Sequence, residues 1–174
     1  THISESALTS RTAEELFKSV HDSIHTILPS RNFFAALYDP NTELITFPYH
    51  ADERDDNWSP RKIGKGLTSY VLRSGKPLRT TPEIYSELAA SGEIISDGAP
   101  SVDWLGVPLR SGGVIRGVMA VQTYDAALRI TESQVENFSL IGTQTAAALE
   151  RLEAREELAK SEADLRALFS AMED

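Results

Sequence analysis

Cysteine is absent from the chain. That excludes a disulfide framework, thiolate zinc sites and cysteine nucleophiles. Long apolar runs are missing too, and nothing approaches the roughly 18 consecutive residues that cross a bilayer. Positive charge is scarce: 17 Lys and Arg stand against 26 Asp and Glu, a formal net charge of −9. Nucleic-acid backbones call for clustered cations, so they are poor partners. Anionic membrane surfaces are poor partners for the same reason. No Gly-x-Ser-x-Gly elbow or comparable nucleophile pattern appears. The start, Thr1 to Ser6, is short and polar and does not read as a signal peptide. The expectation is a soluble module, cytoplasmic, with no direct contact to membrane or nucleic acid.

What is present suits one α/β (α+β) domain with a long terminal extension. The chain has 174 residues, 41% of them hydrophobic, enough for a real core without staples. Thr12 and Glu15 form a capping-box pattern. Leu16, Val20, Ile24 and Ile27, widened by Phe17 and Leu28, then recur at helical spacing until Pro29. Asn32 to Tyr38 and Leu44 to Tyr49 read as strands joined by the turn Asp39-Pro40-Asn41-Thr42. Residues 51–60 are polar and aperiodic, a loop. Gly66 opens a short helix with Leu67, Tyr70 and Val71 on one face, and Gly75 closes it. Lys76 to Thr80 is a short strand. Thr81-Pro82 starts a helix running to about Ala90, and a mobile connection is expected over Glu93 to Ser101. Val102 to Leu109 and Val114 to Thr123 are the strongest strands, joined by Ser111-Gly112-Gly113. Thr131 and Gln134 cap a last helix through Val135, Phe138, Ile141, Thr145, Leu149 and Leu152. Its apolar register shifts near Leu158 and resumes through Leu165, Leu168 and Met172.

Three segments carry a resemblance. Ile63 to Val71 with Ser74-Gly75-Lys76-Pro77-Leu78, then Trp104 to Leu109, then Gly113 to Val121, resemble in order the signature segments of the GAF domain family. The likeness runs from about residue 10 to 155. It implies a central antiparallel sheet of five or six strands, both terminal helices on one face, and short helices and loops enclosing a pocket on the other. The tail, Ser161 to Met172, resembles the opening of a PAS domain. The expected division is therefore a disordered segment over 1–9, the GAF domain over 10–155, and a signalling helix over 156–174 leading into a PAS-like module. Such a module implies a parent of the sensor histidine kinase or cyclic-di-GMP enzyme kind. The module itself is read as no enzyme and as carrying no cofactor. In this family sulfoxide reduction and covalent bilin attachment depend on cysteines, and the Asn-Lys…Phe…Asp-Glu signature of the cyclic-nucleotide subgroup is not found.

Strand alternation places Ile115, Gly117, Met119 and Val121 on the terminal-helix face, with Gly117 admitting a helix close to the sheet. Val118, Ala120 and Gln122 then face the pocket. The aromatics Phe34, Tyr38, Phe47, Tyr49, Tyr70, Tyr85 and Trp104 fall in elements expected around it. Two readings of this set stand open: walls of a small-molecule site, or filling of a ligandless core. The candidate ligand-binding residues are Phe34, Tyr38, Phe47, Tyr70, Tyr85, Trp104, Val118, Ala120 and Gln122. His21 and His25 share a helical face, and a metal there is weighed against a plain surface pair in favour of the latter. His50 reads as a solvated or structural residue rather than a haem ligand. Gly64-Lys65-Gly66 before a helix, with Arg61 and Lys62 close by, is weighed as an anion site against a plain turn and helix start, in favour of the latter. Parallel homodimerisation through the terminal helices is expected, because the last helix outruns a single-domain core.

Overall fold

The computed structural model describes residues 10–95 and 100–173. The expectation for residues 1–9 and the middle of the 93–101 connection lie outside these. Six strands form one sheet: β1 (Asn32–Asp39), β2 (Leu44–Ala51), β3 (Arg61–Lys62), β4 (Leu78–Thr80), β5 (Asp103–Ser111) and β6 (Val114–Thr123). The order is β3-β2-β1-β6-β5-β4, and every neighbouring pair is antiparallel. Among the described residues four helices accompany it: α1 (Ala13–Ile24), α2 (Leu67–Ser74), α3 (Pro82–Ala90) and α4 (Glu132–Glu173).

Local chemistry sets the ends of these elements. The Thr12 hydroxyl accepts from the Glu15 N–H at 3.2 Å, and the Glu15 carboxylate accepts from the Arg11 N–H at 2.8 Å. At α4 the box is reciprocal: Gln134 N–H donates to Thr131 at 3.2 Å and Thr131 N–H to the Gln134 side chain at 2.9 Å. Each such cap contributes about 1 kcal/mol. Gly75 ends α2 at φ 67°, and Gly112 and Gly113 turn the β5–β6 hairpin at φ 58° and 78°. A side chain is strained in all three conformations. The first helix is shorter than its periodicity suggests. It ends at Ile24, so Ile27 lies beyond it at 36% exposure, while Leu28 still buries.

Helices α1 and α4 lie together on one face of the sheet. Leu16, Phe17, Val20 and Ile24 of α1 meet Phe138, Ala146 and Leu149 of α4 over Phe33, Ala35, Leu105, Val107, Met119 and Val121. The other face carries a smaller cluster of Phe34, Ala36, Ile45, Trp104, Val118 and Ala120 under Val71 and Leu72 of α2.

Two bulges alter the alternation, and each corrects an expectation. Ala35 pairs with Tyr49 but Leu37 with Thr46, so β2 carries an extra residue at Phe47-Pro48. Proline has no N–H for the ladder, which favours a bulge there. Phe47 stays on the α2 face while Tyr49 packs on the α1/α4 side, not around the pocket. In β6, Leu109 pairs with Gly117 and Arg110 with Ile115, leaving Arg116 extra. Ile115 therefore joins the α2-face cluster, away from the Met119 and Val121 face to which alternation assigned it. Gly117 does not admit a helix: a Cβ there would sit 1.9 Å from the Ala36 carbonyl oxygen of β1. The close helix–sheet approach is at Gly142 of α4, whose Cβ would meet Val107 at 3.0 Å and the Pro108 carbonyl at 3.4 Å.

Helix α4 has 42 residues and spans ~63 Å. Leu149 and Leu152 are buried within this domain. The register shift marks a second stripe. Six residues separate Leu152 from Leu158, a rotation of roughly 120° around the helix. The β5–β6 hairpin holds α4 where the body of the domain ends, through an Arg116–Glu153 ion pair and a hydrogen bond from Ser111 to Glu150. Every residue over 154–173 is exposed.

Candidate functional site

The α2 face of the sheet holds a cavity of about 720 Å³. Its floor is Trp104 of β5 and Gln122 of β6, which are direct cross-strand partners. The Trp104 six-membered ring occupies the space a side chain at 106 would take: a Cβ on Gly106 would lie 2.2 Å from it. Glycine at that position therefore lets the indole lie down along the strand.

One wall is aromatic. Phe34 of β1 and Phe47 of β2 meet at 6.0 Å edge to face, and Trp58 closes on both at 5.1 and 5.4 Å. His50 stacks on Trp58 at 4.8 Å with 9° between planes, and Arg61 lies over Phe47 at 4.9 Å. Trp58 belongs to the polar segment read as a loop. The signal for it was the residue itself, since an indole amid Asp and Asn gains most by folding back onto other aromatics. Its N–H donates to the Asp55 carbonyl at 3.1 Å.

That loop is pinned at its base. Asp52 accepts from the Arg54 and Asp55 N–H groups, both at 2.9 Å, and from Tyr124 at 2.7 Å. Its other oxygen accepts from the Gln122 amide at 2.6 Å. Asn32 brackets Glu53, accepting from its N–H at 2.7 Å and donating to its carboxylate at 2.9 Å. Burial, and then the Asp52 carboxylate that takes its hydrogen bond, hold the Tyr124 phenol far above its ordinary value of 10.0. Tyr124 is therefore a neutral donor at any physiological pH.

Of the expected site residues, Phe34, Phe47, Tyr85, Trp104 and Gln122 border the cavity. Val118 and Ala120 share that sheet face but are fully buried in the cluster with Val71 and Leu72, because α2 lies across β5 and β6 and fills the space above them. Tyr38 packs on the edge of the same cluster beyond the cavity wall. Tyr70 is half-buried outside the cavity lining; Ser69, Val71 and Leu72 form the buried face of α2 in its place. Sequence reasoning missed Trp58, Ile45 and the loop carboxylate Asp55.

The Gly64–Gly66 turn borders the cavity too, but its polar groups are engaged by the protein: Gly64 N–H donates to Ser69 at 3.0 Å, Arg73 binds the Gly64 carbonyl, and the Lys65 carbonyl accepts from the Ile95 N–H at 2.8 Å. His21 works structurally. Its ring stacks on Phe33 at 4.9 Å, with one nitrogen 2.8 Å from the Tyr49 hydroxyl and the other 2.6 Å from the Ser30 carbonyl. His25 is exposed.

An aromatic-walled cavity on one face of a six-stranded antiparallel sheet, with paired terminal helices on the other, is the arrangement the sequence motifs implied. The GAF domain family model matches residues 10–150, and the chain belongs to that family. No curated protein sequence matches the chain. Among solved structures it is similar to the GAF domain of a phosphoenolpyruvate-protein phosphotransferase from Coxiella burnetii, with TM-score 0.70 and 14% identity, covering 89% of this chain and 92% of that one. It is similar also to residues 122 to 287 of a methyl-accepting chemotaxis protein, with TM-score 0.67 and 15% identity over 87% and 97% of the two chains. A third likeness is to the free methionine-R-sulfoxide reductase of Neisseria meningitidis in complex with its substrate, with TM-score 0.70 and 12% identity over 88% and 87%. At these identities the likeness shows the fold. The fold is one found in sensory signalling proteins and, in the reductase, in an enzyme.

Proposed function

We propose that this domain is a sensory module that binds a small molecule and relays its presence through the terminal helices to the next module of a signalling protein. The observation that carries this reading is the cavity of about 720 Å³. Its volume suits an organic ligand, and its lining mixes aromatic surface with a few placed polar groups. A ligandless core would fill that space, as side chains do on the opposite face of the same sheet. We read the module as non-catalytic, since sulfoxide reduction on this fold is tied by the family resemblance to cysteines, of which the chain has none.

The relay has a concrete starting point. Trp104 floors the cavity, and its neighbour Asp103 is buried and holds the entrance to α4. The Asp103 carboxylate accepts from the Ile130 N–H at 2.8 Å and pairs with Arg129 at 2.9 Å. Arg79 of β4 adds a bond to the Ile130 carbonyl at 2.7 Å. A ligand that shifts Trp104 thus shifts the strand residue to which the start of α4 is tied. Native mass spectrometry of freshly purified protein tests the reading. A discrete bound small molecule, lost on Trp58→Ala, is expected. Bare protein, with no thermal shift from any planar organic compound tried, overturns it in favour of the alternative, a structural dimerisation module.

The exposed stripe favours a parallel homodimer as the relaying unit. Leu158, Leu165 and Met172 recur every seventh residue with Leu168 between them, each more than half exposed. This is the spacing of a coiled-coil seam. In line with the tail's resemblance, the helix would enter a PAS-like module, and parallel pairing would align two copies of it, as in a sensor histidine kinase or cyclic-di-GMP enzyme. Sedimentation equilibrium at micromolar concentration should show a dimer that becomes monomeric with Leu158→Glu and Leu165→Glu combined. A monomeric parent chain, or a dimer indifferent to the pair, overturns this part.

A further inference from the structure

The polar groups on the cavity floor define what a ligand must offer. Trp104 is 3% exposed and Gln122 5% exposed. The Gln122 amide N–H groups face the carboxylates of Asp52 at 2.6 Å and Asp55 at 3.4 Å. Carboxylates only accept, which fixes the orientation of the amide and turns its carbonyl oxygen the other way. Among the described residues that oxygen has no donor, and the Trp104 indole N–H has no acceptor. Neither is sealed inside protein, because the single sealed and unpartnered side-chain atom among the described residues is Ser30 Oγ. Both residues border the cavity. As direct partners across β5 and β6 they have Cβ atoms about 5 Å apart. The floor thus presents one donor beside one acceptor, each nearly buried and each awaiting a complement.

Charge and shape restrict the complement further. An anionic group on the floor would meet the Asp52 and Asp55 carboxylates behind Gln122. A cation would meet aromatic walls on which Arg61 already sits, over Phe47, with Lys62 and Lys65 at the exposed rim. The walls themselves, Phe34, Phe47 and Trp58, suit a flat ring. Resting on the sensor reading above, we propose that the cavity takes an uncharged planar ring system bearing adjacent N–H and C=O groups, a cyclic amide or cyclic urea. Its carbonyl accepts from the Trp104 N–H and its N–H donates to the Gln122 carbonyl.

The two tryptophans of the chain both border the cavity, so intrinsic fluorescence reports on it directly. Three probes separate the terms: carbostyril, a flat cyclic amide; N-methylcarbostyril, which keeps the carbonyl and loses the N–H; and quinoline, which lacks both. Fluorescence titration with calorimetry should show carbostyril binding at least tenfold more tightly than either of the others. Trp104→Phe, with its fold checked by circular dichroism, should remove most of that preference while the parent protein's comparison of probes stands without any variant. Equal affinity for all three overturns the donor–acceptor assignment and leaves the sensor reading intact. Failure of all three to bind, with native mass spectrometry still showing a bound small molecule, overturns the ligand class alone. Failure of all three together with a bare native mass overturns both.

Discussion

The two faces of the sheet are built from alternate residues of the same strands, yet they are packed to different ends. On the α1/α4 face Phe17, Phe33, Leu105, Met119, Phe138 and Leu149 are at most 1% exposed and belong to one continuous apolar cluster. On the α2 face a short helix packs Val71 and Leu72 into a smaller cluster with Val118 and Ala120, and beside it a cavity is left, closed by the 52–60 loop. Neighbouring residues on one strand thus serve stability and vacancy by turns: Leu105 is core, and Trp104 is cavity floor. The difference comes from what each face is offered. A 12-residue and a 42-residue helix fill one face; helices of eight and nine residues with a polar loop do not fill the other.

The sharpest way to break this comparison is to truncate a large side chain on each face. Phe138→Ala should cost about 3–5 kcal/mol in urea unfolding, the usual range for a fully buried Phe. Phe47→Ala, half-buried at the cavity wall, should cost less than half as much. Equal costs would mean that the α2 face is as fully packed as the other. Next in size is Asp103→Ala. It removes hydrogen bonds to Arg129 and to the Ile130 N–H and should cost about 2 kcal/mol. The loss should be local first: amide exchange at Ile130 and the first turn of α4 should quicken before that of β6. If exchange rises evenly, Asp103 does not tie the floor to the helix.

Trp58→Ala should change stability by about 1 kcal/mol or less, because its partners form a wall open on one side. Its effect should appear as faster exchange over the 52–60 loop and loss of probe binding. A stability loss as large as that of Phe138→Ala would place Trp58 in the core proper. The smallest effect concerns pH. Tyr124 and Tyr49 are both held above the ordinary tyrosine value of 10.0, in each case chiefly by burial. Below that value both forms of the chain keep the protons and stability is flat. As pH rises above it, the unfolded chain loses protons that the folded chain keeps, so stability falls. Tyr124→Phe should make this alkaline decline shallower in pH-dependent urea melts; an unchanged slope would remove Tyr124 from the account.

Much of the architecture was legible in the residues themselves. Thr12, Gly75, Thr81 and the Thr131–Gln134 box act through bonds to their own near neighbours, so their roles do not wait on the rest of the fold. The same is true of the Gly112-Gly113 turn, and of the alternation that puts Phe34 and Phe47 opposite Phe33 and Met119. The family motifs lie in these local elements, which is why they were recognisable. Only the tertiary structure decided the rest. An extra residue in β2 or β6 inverts the facing of everything beyond it, and whether the ladder absorbs it at Pro48 or Arg116 depends on the pairing strand. Gly117 and Gly142 look alike in sequence, but one is squeezed by a neighbouring strand and the other by a helix crossing. Trp58 reaches the cavity only because Asp52 and Asn32 fold its loop back onto Gln122, Tyr124 and Glu53. Those contacts join residues far apart in the chain, and no periodicity within a segment encodes a partner that lies outside it.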